Sequence, residues 1–141
     1  KDENNVWRMD FEDMEQKLQE EKIHAAIFCS PHNPCGRVWE KWEIEKAMEL
    51  YKKYDVTVIS DEIWSDLITT GYKHIPTQSV SEDAKMRTVA LYAPSKTFNL
   101  AGLVGSYHII YNSEGPGRQG IFPVPLQFHE CAVYVRADWR L

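Results

Sequence analysis

Apolar residues recur at helical spacing in two segments of the chain. Residues 11–21 and 40–54 place them three and four positions apart, which predicts helices with one buried face. Asp10 stands directly before the first segment, where its carboxylate can cap the helix. The buried face of the second helix is expected to carry Ile44, Ala47, Met48 and Tyr51.

Short apolar runs that predict buried strands lie between and beyond these helices. The runs are residues 23–30, 56–60, 87–92 and 106–111. Pro94 ends the third run, because proline has no N–H to donate to a neighbouring strand. Strands that alternate with helices predict an α/β fold with a mainly parallel sheet covered on both faces.

Composition limits the classes of function. The chain has 141 residues, 43% of them hydrophobic and 26% charged, which is typical of one globular domain. A net charge of -5 argues against a general nucleic-acid surface. No apolar run has the length of a membrane span, no signal peptide is visible, and three cysteines suit a reducing cytoplasm. The first residue is Lys1 and not Met, so we expect an internal piece of a longer protein.

Polar side chains with chemical potential follow three of the predicted strands. Asn33 follows the first strand, Asp61 the second and Lys96 the third. Because the carboxyl ends of parallel strands meet at one edge of a sheet, we expect all three at that edge. Lys96 is the only charged residue of LYAPSKTFNLAGL, so we expect a partly desolvated amine that can act as a nucleophile.

A lysine, a carboxylate and an amide at one edge suit pyridoxal phosphate. Lys96 can form a Schiff base, Asp61 can pair with the pyridine nitrogen, and Asn33 can bond the ring hydroxyl. Each residue also has a simpler interpretation. The lysine can be a solvated surface charge, the aspartate a helix cap or turn residue, and the asparagine a turn former.

Three stretches resemble the large-domain motifs of fold-type I pyridoxal-phosphate enzymes. They are SPHNPCGRVW, VISDEIWSDL and APSKTFNLAGL, and their order and spacing resemble the class I/II aminotransferase superfamily. Their wording is most similar to its cystathionine beta-lyase branch, over residues 1–112. The resemblance implies part of a mainly parallel large domain, with a homodimer expected for the full-length protein.

The resemblance also implies a role for each site residue. Lys96 is the Schiff-base lysine, Asp61 bonds the pyridine nitrogen, and Asn33 bonds the ring hydroxyl. Trp64 occupies a place where family members often carry a hydroxyl or imidazole near the ring. Val104 stands eight residues past the lysine, where many aminotransferases carry an arginine for the cofactor phosphate.

The implied reaction is β-elimination from cystathionine or another cysteine S-conjugate, giving a thiol, pyruvate and ammonia. The free Lys96 amine would take the Cα proton as general base. Val104 weakens the alternative, an aminotransferase. Transamination shares every step up to proton removal, so the three motifs alone leave both reactions open.

Two interpretations from other classes also remain. Cys29, His32 and Cys35, with His129 and Cys131 downstream, have ligand types and spacings that a structural zinc site accepts. Our preferred interpretation has no metal, because a cysteine at the end of a buried strand is usually a small hydrophobe. The chain could also be an inert fragment that retains an enzyme's motifs.

The tail after Asn112 departs from the family pattern. Residues 113–120 are loop-like, whereas the family continues into a helix and a stretch close to HYNSMNVLSM. Permissible codons for PLQFHECAVYVRADWR, read one base later, give HYNSMNVLSMYGLIG. The sequence therefore predicts a frameshift between about Asn112 and Pro125, with residues 113–141 out of frame and no domain assigned to them. Lacking the family's small domain, this chain alone is expected to fold poorly and to be inactive.

Overall fold

The computed structural model describes residues 1–103, 105–111 and 132–136. They form an α/β fold, in which helices accompany one five-stranded sheet. The four α-helices are α1 (Phe11–Glu20), α2 (Lys41–Lys53), α3 (Glu82–Arg87) and α4 (Pro94–Thr97). Five strands are β1 (Ala25–Cys29), β2 (Thr57–Asp61), β3 (Thr88–Tyr92), β4 (Ser106–Ile110) and β5 (Ala132–Arg136). Among the helices described, none is long and apolar enough to cross a membrane.

The sheet has the spatial order β1-β2-β3-β4-β5. The pairs β1–β2 and β2–β3 are parallel, as the alternation of strands and helices predicted. β4 runs antiparallel to β3, and β5 is parallel to β4. The expectation of a mainly parallel sheet is therefore confirmed, with one reversal of direction between β3 and β4.

The predicted helices α1 and α2 are confirmed, because apolar side chains of both pack into the main core cluster. The Asp10 carboxylate caps α1 by accepting a hydrogen bond from the Asp13 N–H at 3.0 Å. Ile44, Ala47, Met48 and Tyr51 of α2 are all buried in the main core cluster. The predicted stripe thus anchors α2 on the sheet.

Two helices were not predicted. α3 is a single short element capped by Ser81, whose side chain accepts from the Ala84 N–H at 3.0 Å. Arg87 ends this helix and does not begin β3, so the predicted third strand starts one residue later. Pro94 does end the strand region, and it then occupies the first turn of α4. That position suits proline, because its missing N–H would have no partner there.

The two faces of the sheet differ in their covering. On one face, Phe28, Val58 and Ala90 are buried against the helices. On the other, Ile27 is 77% exposed, and its register neighbours Ile59 and Val89 are only partly buried. We call this second side the open face. The expected covering of both faces is therefore wrong for the described part of the chain, which covers only one.

Candidate active site

The three candidate residues lie past the carboxyl ends of three parallel strands. Asn33 is in the loop after β1, Asp61 is the last residue of β2, and Lys96 is in α4, just beyond β3. Because β1, β2 and β3 are parallel, these ends share one edge of the sheet. The structure therefore places all three at the edge that the sequence predicted, while their chemical roles stay predictions.

Asp61 carries a carboxylate that is only partly engaged. Its Oδ1 accepts a hydrogen bond from the Ile63 N–H at 3.1 Å. Its Oδ2 has no hydrogen-bond partner within the residues that the structure describes. Asp61 pairs in register with Cys29 and Leu91, so these three side chains share the open face. One half-buried carboxylate oxygen is thus available to a group that binds at this edge.

Lys96 is exposed, which corrects the expectation of a partly desolvated amine. The small and apolar neighbours in the sequence do not cover it, because α4 is a four-residue helix beyond the sheet edge. Its Nζ lies 5.4 Å from the centre of the Trp64 ring, a cation–π contact. Trp64, the fourth candidate residue, therefore belongs to the same part of the edge.

A hydrogen bond connects α4 to the loop after β2. The Thr97 hydroxyl donates to Asp66 Oδ2 at 2.8 Å. Lys96 precedes Thr97, and Trp64 lies two residues before Asp66. This bond therefore joins the two segments that bring Lys96 and Trp64 together.

The loop that carries Asn33 is closed by backbone hydrogen bonds. The His32 N–H donates to the Arg37 carbonyl at 2.7 Å, and the Gly36 N–H donates to the His32 carbonyl at 2.8 Å. Gly36 has a φ of 69°, a backbone conformation that favours glycine. Asn33 itself is exposed at the tip of this closed loop. Its amide is therefore free to reach a group bound at the edge.

Buried side chains attach the same loop to the rest of the fold. The Trp39 indole N–H donates to the Cys29 carbonyl at 2.9 Å. Arg37 donates to the fully buried Glu43 carboxylate of α2 at 2.5 Å, and Arg8 lies 3.2 Å from the other Glu43 oxygen. These contacts give the loop after β1 a fixed base on α2.

The pKa of the Cys29 thiol depends on both neighbouring segments of this edge, the loop with Asn33 and the strand end with Asp61. Partial burial raises the pKa of its thiol above the ordinary value, and the nearby Asp61 carboxylate raises it further. A hydrogen bond from the Asn33 backbone opposes this increase. The Cys29 sulfur therefore lies within reach of both segments, and it is a weakly reactive thiol at neutral pH.

The zinc interpretation finds no complete ligand set in the described residues. His32 Nδ1 lies 3.0 Å from the Cys35 sulfur, but Cys29 donates instead to the Pro31 carbonyl at 3.2 Å. No group of three or more possible metal ligands occurs within residues 1–103 and 105–111. His129 and Cys131 lie outside the described residues, as does Val104.

Glu62, the residue directly after Asp61, is not among the residues that the sequence patterns pointed to. It is fully buried, and four donors bind its carboxylate. The signal was present, because a second acidic residue at the end of a buried strand calls for buried partners. Its partners come from distant segments, which no local pattern identifies.

Comparison with known proteins agrees with this geometry. The family model described as aminotransferase class I and II matches residues 1–128, which extends past Asn112. Cystathionine beta-lyase PatB of Bacillus subtilis is 47% identical over 107 residues, covering 76% of this chain and 28% of that protein. Protein MalY of Escherichia coli is 37% identical over 144 positions, covering 94% of this chain and 36% of that protein.

A solved structure of cystalysin from Treponema denticola, which contains a pyridoxal 5'-phosphate cofactor, is also similar. It has a TM-score of 0.76 and 41% identity, over 81% of this chain and 29% of that one. Proteins named as aminotransferases also match this chain. The chain thus spans roughly a third of the length of these relatives or less.

Proposed function

The chain belongs to the class I and II aminotransferase family, and from this premise we propose that it is part of a pyridoxal-phosphate-dependent carbon–sulfur β-lyase. The substrate is cystathionine or another cysteine S-conjugate, and the products are a thiol, pyruvate and ammonia. The observation that carries the proposal is the meeting of Asn33, Asp61 and Lys96 at one sheet edge. Similarity to PatB and cystalysin supports a lyase within the family.

The groups present at the edge fit this cofactor. Asp61 keeps one carboxylate oxygen without a partner among the described residues, and this oxygen can accept a hydrogen bond from a pyridine N–H. In the same described part, the Lys96 amine makes no ion pair and contacts the Trp64 ring instead. A lysine that no carboxylate holds is available for a covalent bond to an aldehyde.

Each residue has a defined task in the proposed reaction. When bound, pyridoxal phosphate supplies an electron sink for the carbanion formed at the substrate Cα. Asp61 keeps the proton on the pyridine nitrogen by opposing it with a negative charge. Asn33 would donate its amide N–H₂ to the ring hydroxyl oxygen and so help to orient the ring.

Lys96 both holds the cofactor and moves a proton. When it is not bonded to the cofactor, the Lys96 amine would take the proton from the substrate Cα as general base, which would let a thiolate leave from Cβ. The Trp64 ring would lie against the ammonium group so formed and keep it at the edge through the cation–π contact. The Trp64 N–H is the further donor that this residue offers to the cofactor.

Because the chain spans only about a third of the length of its relatives or less, the proposed enzyme needs further segments besides these residues. We infer a full-length protein that is a cytoplasmic homodimer, in which further segments bind the cofactor phosphate and the substrate carboxylate. The 141-residue chain alone is then inactive. We also infer that residues 113–141 are read out of frame, since permissible codons for residues 125–140, read one base later, give the family's continuation.

An aminotransferase is the second candidate, and the family model and several relatives favour it. The two reactions differ in their products after the shared removal of the Cα proton. A lyase releases pyruvate from a cysteine S-conjugate without an oxo-acid partner, whereas an aminotransferase requires an oxo acid for turnover. Pyruvate release in the absence of any oxo acid therefore separates them.

The test is Lys96→Ala in the full-length protein, obtained by sequencing and expressing the complete gene. We expect loss of the visible absorbance band of the bound cofactor, and pyruvate formation from cystathionine reduced by at least about 100-fold. The matched control is Lys46→Ala, because the amine of Lys46 on α2 also lies over an aromatic ring, 4.5 Å from the centre of Phe11 on α1. An unchanged band in Lys96→Ala, or equal losses in both variants, would sink the proposal.

A further inference from the structure

A buried carboxylate lies directly behind the candidate active site. Glu62 is fully buried, and its two oxygens divide four donors between them. Oε1 accepts from the Ser60 hydroxyl at 3.0 Å and from the Thr77 N–H at 2.9 Å. Oε2 accepts from His74 Nε2 at 2.9 Å and from the Tyr92 hydroxyl. The carboxylate is therefore fully occupied, and it does not face a ligand.

The surroundings keep Glu62 ionised. Burial opposes the charged form, but hydrogen bonds from His74, Tyr92 and the Thr77 N–H outweigh it and hold the Glu62 pKa below its ordinary value. A carboxylate can only accept, so the Nε2 of His74 must carry the proton that it donates. Burial next to this negative charge raises the pKa of the Tyr92 hydroxyl, which therefore stays a donor.

Glu62 connects the strand that carries Asp61 with the strand that leads to Lys96. The Glu62 N–H donates to the Leu91 carbonyl at 3.0 Å, and its side chain binds Tyr92, the next residue of β3. Lys96 follows Tyr92 by four residues. Backbone and side chain of one residue thus cross the same junction between β2 and β3.

The contacts of Glu62 lie on the side of the sheet away from Asp61. Successive residues at the end of β2 point to opposite sides, and Asp61 shares the open face with Cys29 and Leu91. Glu62 instead contacts Ser60 and Thr77, which are buried under the helices. Any effect of Glu62 on the cofactor must therefore pass through the positions of Asp61 and Lys96.

We propose that Glu62 is a positioning residue: its buried carboxylate joins the ends of β2 and β3 and so sets the spacing between Asp61 and Lys96. This proposal rests on the proposed function, since the spacing matters only if one ligand binds both side chains. A cofactor attached to Lys96 and bonded to Asp61 would bridge the two strand ends. Loosening their connection should weaken that binding even though no cofactor contact is removed.

The test uses Glu62→Gln and Tyr92→Phe in the full-length protein. Glutamine keeps the volume but places an N–H₂ or a weaker acceptor opposite two donors. Tyr92→Phe removes the donor on β3 and also the acceptor of the Gln78 side-chain N–H₂, which lies 3.2 Å from the Tyr92 hydroxyl. We expect Glu62→Gln to weaken binding of pyridoxal phosphate on the order of 10-fold and to shift the absorbance maximum of the bound form. Because both changes break the same link, the double variant should bind no more weakly than Glu62→Gln alone.

The matched control is Asp83→Asn, which acts at the other ends of the same two strands. Asp83 accepts from Arg87 at 2.5 Å, and Arg87 donates to the Val56 carbonyl at 3.0 Å, next to the start of β2. We expect this variant to lower the melting temperature while leaving the cofactor's affinity and absorbance maximum unchanged. In a double variant, the decrease in melting temperature caused by Asp83→Asn should add to any decrease caused by Tyr92→Phe.

The outcomes separate the two proposals. If the unsubstituted protein shows a Lys96-dependent band but Glu62→Gln behaves like Asp83→Asn, the positioning role is wrong and the proposed function stands. If the unsubstituted protein shows no such band, both fail. If Glu62→Gln does not fold, Tyr92→Phe decides: an unchanged cofactor affinity and absorbance maximum in that variant would overturn the positioning role.

Discussion

Single residues at the sheet edge differ in reactivity because their surroundings differ. Cys29 and Cys35 lie six positions apart, yet one is half-buried beside Asp61 and the other is exposed. The thiolate is the reactive form, so a raised pKa slows the reaction of Cys29 at neutral pH. The two sulfurs therefore provide an internal comparison for the electrostatics of this edge.

We expect iodoacetamide to modify Cys35 faster than Cys29 at pH 7 in the cofactor-free full-length protein. The rate at Cys29 should continue to increase as the pH rises past 9.0, the ordinary pKa of a thiol, because burial raises its own pKa above that value. Peptide mass spectrometry over time gives both rates from one sample. Faster modification of Cys29 than of Cys35 at pH 7 would contradict the described burial.

Elements are distinguished by which face they bury. In β1, Ile27 is 77% exposed, whereas Val58 of β2 is fully buried on the opposite side of the sheet. The two residues have similar chemistry, so the same substitution tests both faces. Replacement on the open face removes apolar surface from solvent contact, while replacement on the covered face places a hydroxyl in the core.

We expect Ile27→Thr to increase the soluble fraction of the 141-residue chain, as measured by light scattering and gel filtration. Val58→Thr should decrease it, because an unsatisfied buried hydroxyl costs about 1–3 kcal/mol of folding free energy. The two variants serve as controls for each other. Equal loss of soluble chain in both would mean that the open face is covered in solution.

The sequence predicted elements best where one period of apolar residues determined one face. Ile44, Ala47, Met48 and Tyr51 gave α2 and its orientation, because a helix of this length buries one continuous stripe. Helix α3 was missed because only Ala84 of its six residues is buried, which leaves no period to detect. The antiparallel direction of β4 was missed because strand periodicity is the same in both directions.

The site was predictable in part for a related reason. The order of strands and polar residues sufficed to place Asn33, Asp61 and Lys96 at one edge. The exposure of Lys96 was not predictable, because the side chains that could cover a lysine come from other segments. The Glu62 contacts with His74 and Tyr92 escaped for the same reason, since those residues are 12 and 30 positions away.

At the scale of the whole molecule, the identity of the tail determines what protein this is. The family model matches through residue 128, while the frameshift that we propose falls between about Asn112 and Pro125. We expect the DNA sequence across residues 111–141, read at high depth, to reveal one inserted or deleted base relative to the frame that encodes HYNSMNVLSMYGLIG. Correcting that base should restore a longer open reading frame.

The frameshift would be overturned by a DNA sequence that encodes the present tail and gives no family-like sequence in the two alternative reading frames. A correct frame with a stop soon after residue 141 would mean that the gene itself is interrupted. In that case Lys96, Asp61 and Asn33 are remnants of a site that the chain does not complete. A miscalled base instead returns all three to a full-length protein in which the variants above can be made.

The one-sided covering of the sheet also has a consequence for synthesis on the ribosome. Strands β1, β2 and β3 lie side by side in chain order, so each new strand pairs with the one before it. Crossovers of the same hand place their connecting helices on one side of the sheet. A chain in which only β1, β2 and β3 have folded therefore keeps its open face, with Ile27, available for non-specific association. We expect ribosome-bound chains at this stage of folding to recruit chaperones that recognise apolar strands, and chains that fold no further to remain with them until they are degraded.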